Sequence, residues 1–394
     1  MSLEKISIKG IKKALQDDAF VLHYQPKISM ITGDICGAEA LLRLQSEDGS
    51  LIYPDQFIPV AEKEGFITQV TIQVLSRLIS ELPLILVDNQ ELVISFNASG
   101  KDFHNYQLTE FILRAIQERQ YDVKNIEIEV TETVLMDEMN AKMQLTKLAN
   151  AGVPISMDDF GTGHSGLVEL SKWPFSKVKI DKSFVNGIYS SSKNTEILQS
   201  AIRMAHQLNM EVVAEGIEDK ETFILLQKYG CKVGQGYWIS KPLSLDKFIH
   251  YLETYRAIPP FPIGVIYMAQ LDHIQWKKTL IDAVLYVHRS HGYSSAKKVQ
   301  GGLPELDHTC CKLGKWYYSV EKSFGHLEQY QNLEQPHKEL HQIGREMLDA
   351  ATNNCSIQEL TERINVLAKK SGIIIDLLQS LESHWVIEQH LSLN

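Results

Sequence analysis

Between about residue 20 and residue 245, short β-rich runs alternate with stretches in which apolar residues recur every three or four positions. The first pattern is typical of buried strands and the second of amphipathic helices. Eight strand-like runs occur, at residues 20–28, 35–43, 91–97, 125–132, 153–159, 177–180, 211–215 and 231–237. This alternation predicts a parallel α/β sheet, and eight units favour a closed (β/α)8 barrel. No glycine-rich phosphate fingerprint follows the first run, which argues against a dinucleotide-binding fold.

The pattern changes after about residue 245. The segment RAIPPFPIG at 256–264 contains three prolines and predicts a linker. Beyond it the β-rich runs give way to helical periodicity, in stretches that begin at Leu271, Leu306, Glu334 and Ser356. We therefore expect a barrel domain over 1–255, a linker over 256–264 and an all-α helical bundle over 265–394. The stretch from Ser356 predicts one long amphipathic helix or two, packed on the bundle or against a second chain.

Composition limits the class of protein and its partners. The chain has 394 residues and a formal net charge of -10, which argues against wrapping polymeric nucleic acid because phosphate neutralisation needs clustered Lys and Arg. The charged N-terminus does not resemble a signal peptide, and no apolar run is long enough for a membrane span, so we expect a cytoplasmic protein. Five scattered cysteines do not form a disulfide framework.

Polar residues fall at or near the carboxyl ends of the predicted barrel strands. In a (β/α) barrel these ends converge on one face, where active sites are built. A single acidic residue at a strand end is more often a helix cap or a surface charge, but repetition at seven strand ends is hard to explain in that way. The residues are Glu39, Asn97, Glu129, Glu132, Asp158, Asp159, Lys179, Asp181, Glu215, Glu218 and Gln235.

Such a pocket would hold several carboxylates, a carboxamide and a lysine. Crowded carboxylates repel one another unless cations compensate, and Mg²⁺ or Mn²⁺ with oxygen ligands is the usual compensation. Two such ions can share a bridging carboxylate and activate a water for attack on phosphorus. The adjacent pair Asp158–Asp159 suits bridging, and Lys179 could orient the water or stabilise charge on the phosphoryl oxygens.

The segments EALLR, FNAS, EVTET, DDFGTG, KIDKSF, AEGIE and QGYWISKP follow one another in this order over about residues 5–250. In this respect the chain resembles the EAL-domain phosphodiesterases. The resemblance implies a modified TIM barrel that hydrolyses cyclic di-GMP to linear pGpG with two Mg²⁺ or Mn²⁺ ions, and a homodimer. It implies metal ligation by Glu39, Asn97, Glu129, Asp158 and Asp159, helped by Glu215 and Gln235.

The same resemblance implies further roles. Lys179 would position the nucleophilic water, and Asp159 and Glu215 would act in catalysis together with Glu39. Glu132 would anchor the loop that begins at DDFGTG. The residues expected to bind substrate are Gln25, Leu41, Arg43, Asp181 and Gln235. The run GHSGL at 163–167 departs from the family's usual GYSSL-like run, which concerns loop dynamics and dimer coupling rather than the metal site. The alternative is a catalytically silent cyclic di-GMP receptor that signals to a partner; the complete ligand set favours an enzyme.

A second set of metal-binding residue types lies in the helical part. His337 and His341 are four residues apart in a helical context, which places both imidazoles on one face as in many zinc half-sites. Taken alone the pair is a weak signal and is better explained as two solvated histidines, and Cys311 and His273 taken alone are explained as packing or surface residues. Three histidines and one thiolate would complete a tetrahedral zinc site.

The segments LDHIQWK, CKLGKWYY and PHKELH, over about residues 265–350, resemble the chemoreceptor zinc-binding (CZB) domain. The resemblance implies a Zn²⁺ site made by His273, Cys311, His337 and His341. Cys310 is the competing thiol, and the spacing of C-x-L-G-K-W selects Cys311. Because a metal keeps its thiolate deprotonated, the site is also a candidate for oxidation. We therefore expect the hydrolysis to be regulated by zinc or by thiol oxidation; a purely structural zinc is the alternative.

Overall fold

The structure is a computed structural model, and it describes residues 7–392 apart from 47, 137, 161–169, 171, 190–191, 209, 259–262 and 290–302. The chain divides into two compact units. One unit comprises Met1–Leu226 with Cys231–Pro260, and the other comprises Gln227–Gly230 with Phe261–Asn394. The predicted bounds of the two domains stay predictions, and part of the predicted linker lies outside the described residues.

The first unit is a closed eight-stranded barrel surrounded by helices. The strands are β1 Phe20–Ser29, β2 Ile35–Gln45, β3 Leu51–Ile52, β4 Val93–Ala98, β5 Ile126–Thr131, β6 Ile155–Phe160, β7 Lys177–Ile180, β8 Glu211–Ala214, β9 Val233–Gly234 and β10 Leu243–Ser244. The sheet runs in the order β10-β1-β9-β8-β7-β6-β5-β4-β2-β3, and pairing of β1 with β2 closes it. The two-residue strands β3 and β10 only extend the rim.

The barrel departs from an all-parallel one at its first strand. β1 pairs antiparallel with both β2 and β9, whereas the neighbours from β2 through β9 pair in parallel. The five residues at 30–34 that join β1 to β2 are too few for a helical crossover, so the connection must be a hairpin. The sequence pattern predicts the eight strands correctly, and the hairpin explains why the barrel is a modified one.

Helices cover the outside of the barrel. The helix Ile67–Ile85 is the longest of them, and its buried positions include Val70, Val74 and Leu78, which recur every four residues on the face toward the sheet. The other helical segments are Ile8–Gln16, Pro54–Lys63, Gly100–Phe103, Gln107–Gln117, Val123–Asn125, Glu132–Met136, Glu138–Asn150, Lys182–Asn186, Ser192–Gln207, Lys220–Lys228 and Leu245–Thr254.

The second unit is helical in its described residues. Three long helices, Ile263–Arg289, Glu334–Thr352 and Ile357–Ser392, pack against one another, and the short helices Lys312–Ser319, Glu321–Phe324 and Glu328–Gln331 accompany them. The buried side chains of the last helix, among them Leu367, Ile374 and Leu378, follow intervals of three, four or seven residues. Across the described helices, none has the length and apolarity that crossing a membrane requires.

In the helical unit, one predicted helix begins later than expected, and an alternative left open by the sequence is decided. The stretch from Leu306 is not helical at its start; its helix begins at Lys312, because the Sγ of Cys311 accepts a hydrogen bond from the backbone N–H of Gly314 and caps the helix. The stretch from Ser356, predicted as one helix or two, is a single helix of 36 residues.

Candidate active site and zinc site

Polar side chains from most of the barrel strands meet at one end of the barrel interior. Strand pairing sets neighbours in register: Gln25 on β1 lies opposite Glu39 on β2, and Asn97 on β4 lies opposite Glu129 on β5. Glu129 is completely buried although its side chain is ionisable. Since parallel strands expose their carboxyl ends at the same rim, residues far apart in sequence form one cluster there.

Lys179 on β7 stands at the centre of this cluster and is 1 % exposed. Its Nζ lies 2.6 Å from Glu215 Oε1 and 2.5 Å from Glu129 Oε2. It also lies 3.3 Å from Glu39 Oε2 and 3.3 Å from Asp158 Oδ1. One ammonium group therefore contacts four carboxylates, so Lys179 and Glu215, predicted to be catalytic, lie beside the predicted metal ligands Glu39, Glu129 and Asp158.

Glu39 is held by amide groups on its other sides. The side-chain nitrogen of Asn97 donates to Glu39 Oε1 at 2.7 Å, and that of Gln235 donates to Glu39 Oε2 at 2.8 Å. Gln235 Nε2 also lies 3.0 Å from the side-chain oxygen of Gln25. Gly236 fixes the turn that carries Gln235, because a Cβ there would lie 2.1 Å from the carbonyl oxygen of Ile217. The carboxylate of Glu39 is thus oriented before any ligand arrives.

The adjacent residues Asp158 and Asp159 reach the site through an irregular strand end. Neighbouring strand residues normally point to opposite faces, which would send one carboxylate away from the interior. The register of β6 against β7 shifts between Met157 and Phe160, and Asp159 adopts a left-handed backbone with φ 56°. Such bulges often lie beside active sites, where they redirect a side chain. The backbone N–H of Asp159 donates to Asp158 Oδ1 at 2.9 Å.

Burial and crowding shift the pKa values of these carboxyl groups in different directions. Burial raises the pKa of Asp158 to about 6 and that of Glu215 to about 8, although the Lys179 ammonium opposes both shifts. Neighbouring carboxylates add to the rise. Burial also acts on Glu129, but there the ammonium groups of Lys179 and Lys27 outweigh it and hold the pKa well below its usual range. The site therefore carries more negative charge than its two lysines compensate.

The donor set fits divalent metal ions of the Mg²⁺ or Mn²⁺ class. Four carboxylates and one carboxamide can supply oxygen ligands, which these hard cations prefer. The raised pKa values of Asp158 and Glu215 indicate a demand for more positive charge than the chain provides. Glu39, Asn97, Glu129, Asp158 and Asp159 are the residues that could hold such ions.

The predicted substrate-binding residues lie around this cluster. Leu41 and Arg43 share a strand face with Glu39, and the guanidinium of Arg43 lies 4.8 Å from the ring centre of Tyr53. Asp181 caps the helix Lys182–Asn186 by accepting from the N–H of Ser183 at 2.9 Å. Glu132 is buried at the start of the helical turn after β5. The loop residues 161–163 that Glu132 would anchor lie outside the described residues.

Two residues near the site escape a reading of the sequence. Lys27 on β1 is buried, and its Nζ donates to Glu129 Oε1 at 2.7 Å. Within the apolar run of a strand, a lone lysine gives no sign that it points inward. Tyr53 belongs to no motif either. It reaches Arg43 because it directly follows the short strand β3, which a sequence pattern does not show.

The helical unit contains a second cluster, made by Cys311, His337 and His341. Their ligand atoms all lie within 4.8 Å of one another, and all three side chains are buried. The Sγ of Cys311 lies 3.3 Å from Nε2 of His337. Nδ1 of His341 lies 3.0 Å from the carbonyl oxygen of Leu306, so a proton on that nitrogen leaves Nε2 as the ligand atom. The two histidines belong to the buried stripe of their helix.

The pKa values of this cluster leave its histidines unprotonated and therefore available to bind a metal ion. Burial lowers the pKa of His337 to about 3 and that of His341 to about 4, so both rings are neutral and have a lone pair for a cation. Burial raises the pKa of the Cys311 thiol to about 11. A bound divalent cation would supply the charge that the thiolate needs.

The fourth predicted ligand has another partner in this structure. His273 is buried, and its Nε2 lies 2.9 Å from the hydroxyl oxygen of Ser371 on the long C-terminal helix. Within the described residues, the group of mutually close ligand atoms comprises Cys311, His337 and His341 and does not include His273. Cys310 is exposed, as expected for the thiol that the motif does not select.

Two protein families match this chain. The family described as the EAL domain matches residues 9–242, and the chemoreceptor zinc-binding domain matches residues 273–348. Among curated relatives, the signaling protein YkoW of Bacillus subtilis is 36% identical over 61% of this chain and 30% of its own length. The cyclic di-GMP phosphodiesterase NbdA of Pseudomonas aeruginosa is 35% identical over 64% of this chain and 32% of its own. The chain thus spans about a third of the length of these relatives.

Solved structures of EAL domains are also similar to the barrel. The structure of the MucR phosphodiesterase in complex with cyclic di-GMP has a TM-score of 0.58 and 33% identity, over 61% of this chain and 98% of that one. An EAL domain protein of Listeria monocytogenes has a TM-score of 0.56 and 27% identity, over 64% of this chain and 99% of that one. The chain belongs to the EAL domain family, and a chemoreceptor zinc-binding domain follows its barrel.

Proposed function

We propose that the barrel hydrolyses cyclic di-GMP to linear pGpG. The observation that carries this proposal is the ring of four carboxylates around the buried ammonium of Lys179, at the end of the barrel where such folds build active sites. The relative NbdA is a cyclic di-GMP phosphodiesterase, which supports the substrate class. The alternative, a receptor that binds the nucleotide without turnover, is an outcome of the test below.

We propose that Glu39, Asn97, Glu129, Asp158 and Asp159 hold two Mg²⁺ or Mn²⁺ ions. When bound, such ions lower the pKa of a coordinated water and neutralise charge on the phosphodiester oxygens. The chain prepares these ligands in advance: Asn97 and Gln235 fix the carboxylate of Glu39, and the bulge in β6 brings Asp159 beside Asp158. Such preorganisation avoids reordering the ligands when the ions bind.

Lys179 and Glu215 take part in the step itself. The ammonium of Lys179 can donate one N–H to the attacking water while Glu215 and Glu129 fix its direction. The water oxygen forms a bond to phosphorus and gives up a proton to a carboxylate of the site. The bond from phosphorus to the 3′ oxygen breaks and that oxygen takes up a proton from solvent, which leaves a 5′-phosphate and a 3′-hydroxyl. We assign the binding of the nucleotide to Gln25, Leu41, Arg43, Asp181 and Gln235, and the anchoring of the loop that begins at DDFGTG to Glu132.

The test is turnover of cyclic di-GMP by the full chain in Mg²⁺, with products separated by chromatography. We expect linear pGpG from the wild type and at least about 100-fold less from Glu39→Gln, because even the loss of an outer partner of a metal ligand costs 10–100-fold. Tight binding of the nucleotide with no product in Mg²⁺ or Mn²⁺ would identify a receptor instead.

We propose that the helical unit binds Zn²⁺ through Cys311, His337 and His341, with His273 as the fourth ligand, and that occupancy of this site regulates hydrolysis. The convergence of the first three residues supports the site. His273 would have to release Ser371 if it binds through Nε2, so loading would change a contact of the long C-terminal helix. Because only a metal-bound Cys311 would be deprotonated, thiol oxidation would depend on zinc as well.

The regulatory part is tested by comparing turnover in zinc-loaded and zinc-stripped protein, with metal content measured by mass spectrometry. A difference that disappears in Cys311→Ala would support regulation, and equal rates at confirmed occupancy would leave a structural zinc. The homodimer and the cytoplasmic location stay predictions from the sequence; sedimentation of the full chain tests the first.

A further inference from the structure

A column of alternating charges runs through the barrel interior beneath the proposed metal site. Lys27 Nζ lies 2.7 Å from Glu129 Oε1 and 4.0 Å from Glu127 Oε1. Glu127 Oε2 in turn lies 2.8 Å from Lys177 Nζ, which lies 3.5 Å from Glu211 Oε1. Lys27 is therefore the cation that joins Glu129, a predicted metal ligand, to the charges deeper in the barrel.

The surroundings of Lys27 fix its ammonium in place. It is 6 % exposed, and besides Glu129 it donates to the hydroxyl of Ser95 on β4 at 2.7 Å. Ser95 itself is completely buried. Strand alternation explains why Lys27 points inward, because it shares its face of β1 with Gln25, which contacts the cluster around Glu39.

The two oxygens of Glu129 bind two different cations. Oε2 is 2.5 Å from Lys179, the ammonium that also contacts Glu39, Asp158 and Glu215. Oε1 is bound by Lys27, which contacts none of those other three carboxylates in the described structure. Divalent ions would compete with Lys179 for its four carboxylates, whereas Lys27 contacts only Glu129 among them.

We propose that Lys27 is a positioning residue for metal binding: it holds the Glu129 carboxylate in the orientation that a divalent ion needs. A buried ion pair is rarely more stabilising than an apolar pair of the same volume, because both charges lose their hydration. The ion pair between Lys27 and Glu129 therefore serves to orient the Glu129 carboxylate as a metal ligand and adds little to the stability of the fold. Outer partners that orient ligands in this way typically change metal affinity by 10–100-fold. This inference rests on the proposed function, since it presumes the metal site.

The test measures Mn²⁺ binding to the full, zinc-loaded chain from the electron paramagnetic resonance signal of free Mn²⁺. We expect Lys27→Met, which keeps the length and removes the charge, to weaken Mn²⁺ binding by about 10–100-fold. Lys177→Met is the matched control: it removes a lysine from the same column without touching Glu129, and we expect its affinity within about 2-fold of wild type. Lys27→Arg restores the charge and should bind more tightly than Lys27→Met.

The outcomes separate this inference from the proposed function. If the wild type binds no more Mn²⁺ than Glu39→Gln, the metal site itself is wrong. If the wild type binds and Lys27→Met binds within 2-fold of it, or if Lys177→Met weakens binding equally, Lys27 has no positioning role. Should Lys27→Met fail to fold by circular dichroism, Lys27→Gln, which has no charge and a side chain one atom shorter, decides by the same criterion: weakened binding supports the role and unchanged binding overturns it.

Discussion

Replacing Lys179 by methionine should destabilise the metal-free barrel strongly, and divalent ions should restore much of the loss. The Nζ of Lys179 contacts four carboxylates at 3.3 Å or less, in a position that is 1 % exposed. Methionine has a similar length but no charge, so the variant leaves these carboxylates together without their central cation. Removing one partner of a buried ion pair costs about 3–5 kcal/mol of unfolding free energy.

The loss of unfolding free energy stays within this range because the carboxyl groups can bind protons. Burial already raises the pKa of Glu215 to about 8 and of Asp158 to about 6, so these two can bind protons when the lysine is lost. Protonation removes part of the repulsion that four carboxylates would otherwise exert. For a barrel of this size, about 3–5 kcal/mol corresponds to a fall in melting temperature of about 6–20 °C.

The assay is thermal unfolding followed by circular dichroism at pH 8, first in a chelator and then in excess Mg²⁺ or Mn²⁺. Lys147→Met is the control, because Lys147 is exposed at the end of a helix and should change stability by less than about 0.5 kcal/mol. We expect Lys179→Met to melt far below the control in the chelator and to gain more from the ions than the wild type does. Equal melting of Lys179→Met and the control in the chelator would refute the reasoning.

Three further predictions concern the packing of glycines and the zinc site. Gly236→Ala should destabilise the barrel by about 1–3 kcal/mol, because the added Cβ would lie 2.1 Å from the Ile217 carbonyl oxygen. Gly372→Ala should instead stabilise its helix by about 0.8–1 kcal/mol, because the added Cβ would meet nothing within 4 Å. Urea unfolding measures both changes, and the opposite order of stability would contradict the packing. Ser371→Ala removes the hydrogen-bond partner of His273 and should change zinc affinity in a competition with a chromogenic chelator; if the affinity equals that of wild type, the bond plays no part in loading. Zinc at 1,000 times its dissociation constant should stabilise the helical unit by about 4 kcal/mol, and a melting curve that does not respond to chelation would contradict the site.

The sequence predicts the barrel well because strand alternation and strand ends carry the information locally. Glu39, Glu129 and Lys179 could be placed at one rim since each lies at or near the carboxyl end of a predicted strand, and the topology of a barrel brings such ends together. Likewise, His337 and His341 belong to one helix, so their spacing alone places them on one face.

Other features could not be predicted, for physical reasons that differ from case to case. The partner of Lys27 is 102 residues away, and a lysine within a strand pattern does not indicate which face it occupies. The sequence predicts the pairing of Asp158 with Asp159 but not the bulge and the left-handed residue at the end of β6, because strict strand alternation has neither. The bond from His273 to Ser371 joins two helices across 98 residues of sequence, and no periodicity reports it.

The most direct test of the central claim is hydrolysis of cyclic di-GMP by the full chain in ¹⁸O-labelled water with Mg²⁺, followed by mass spectrometry of the product. We expect linear pGpG with one ¹⁸O in its 5′-phosphate from the wild type, and none above background from Glu39→Gln. Intact cyclic di-GMP with the wild type, at enzyme in excess over nucleotide and with Mg²⁺ and then Mn²⁺ present, would contradict the claim that this barrel is a phosphodiesterase.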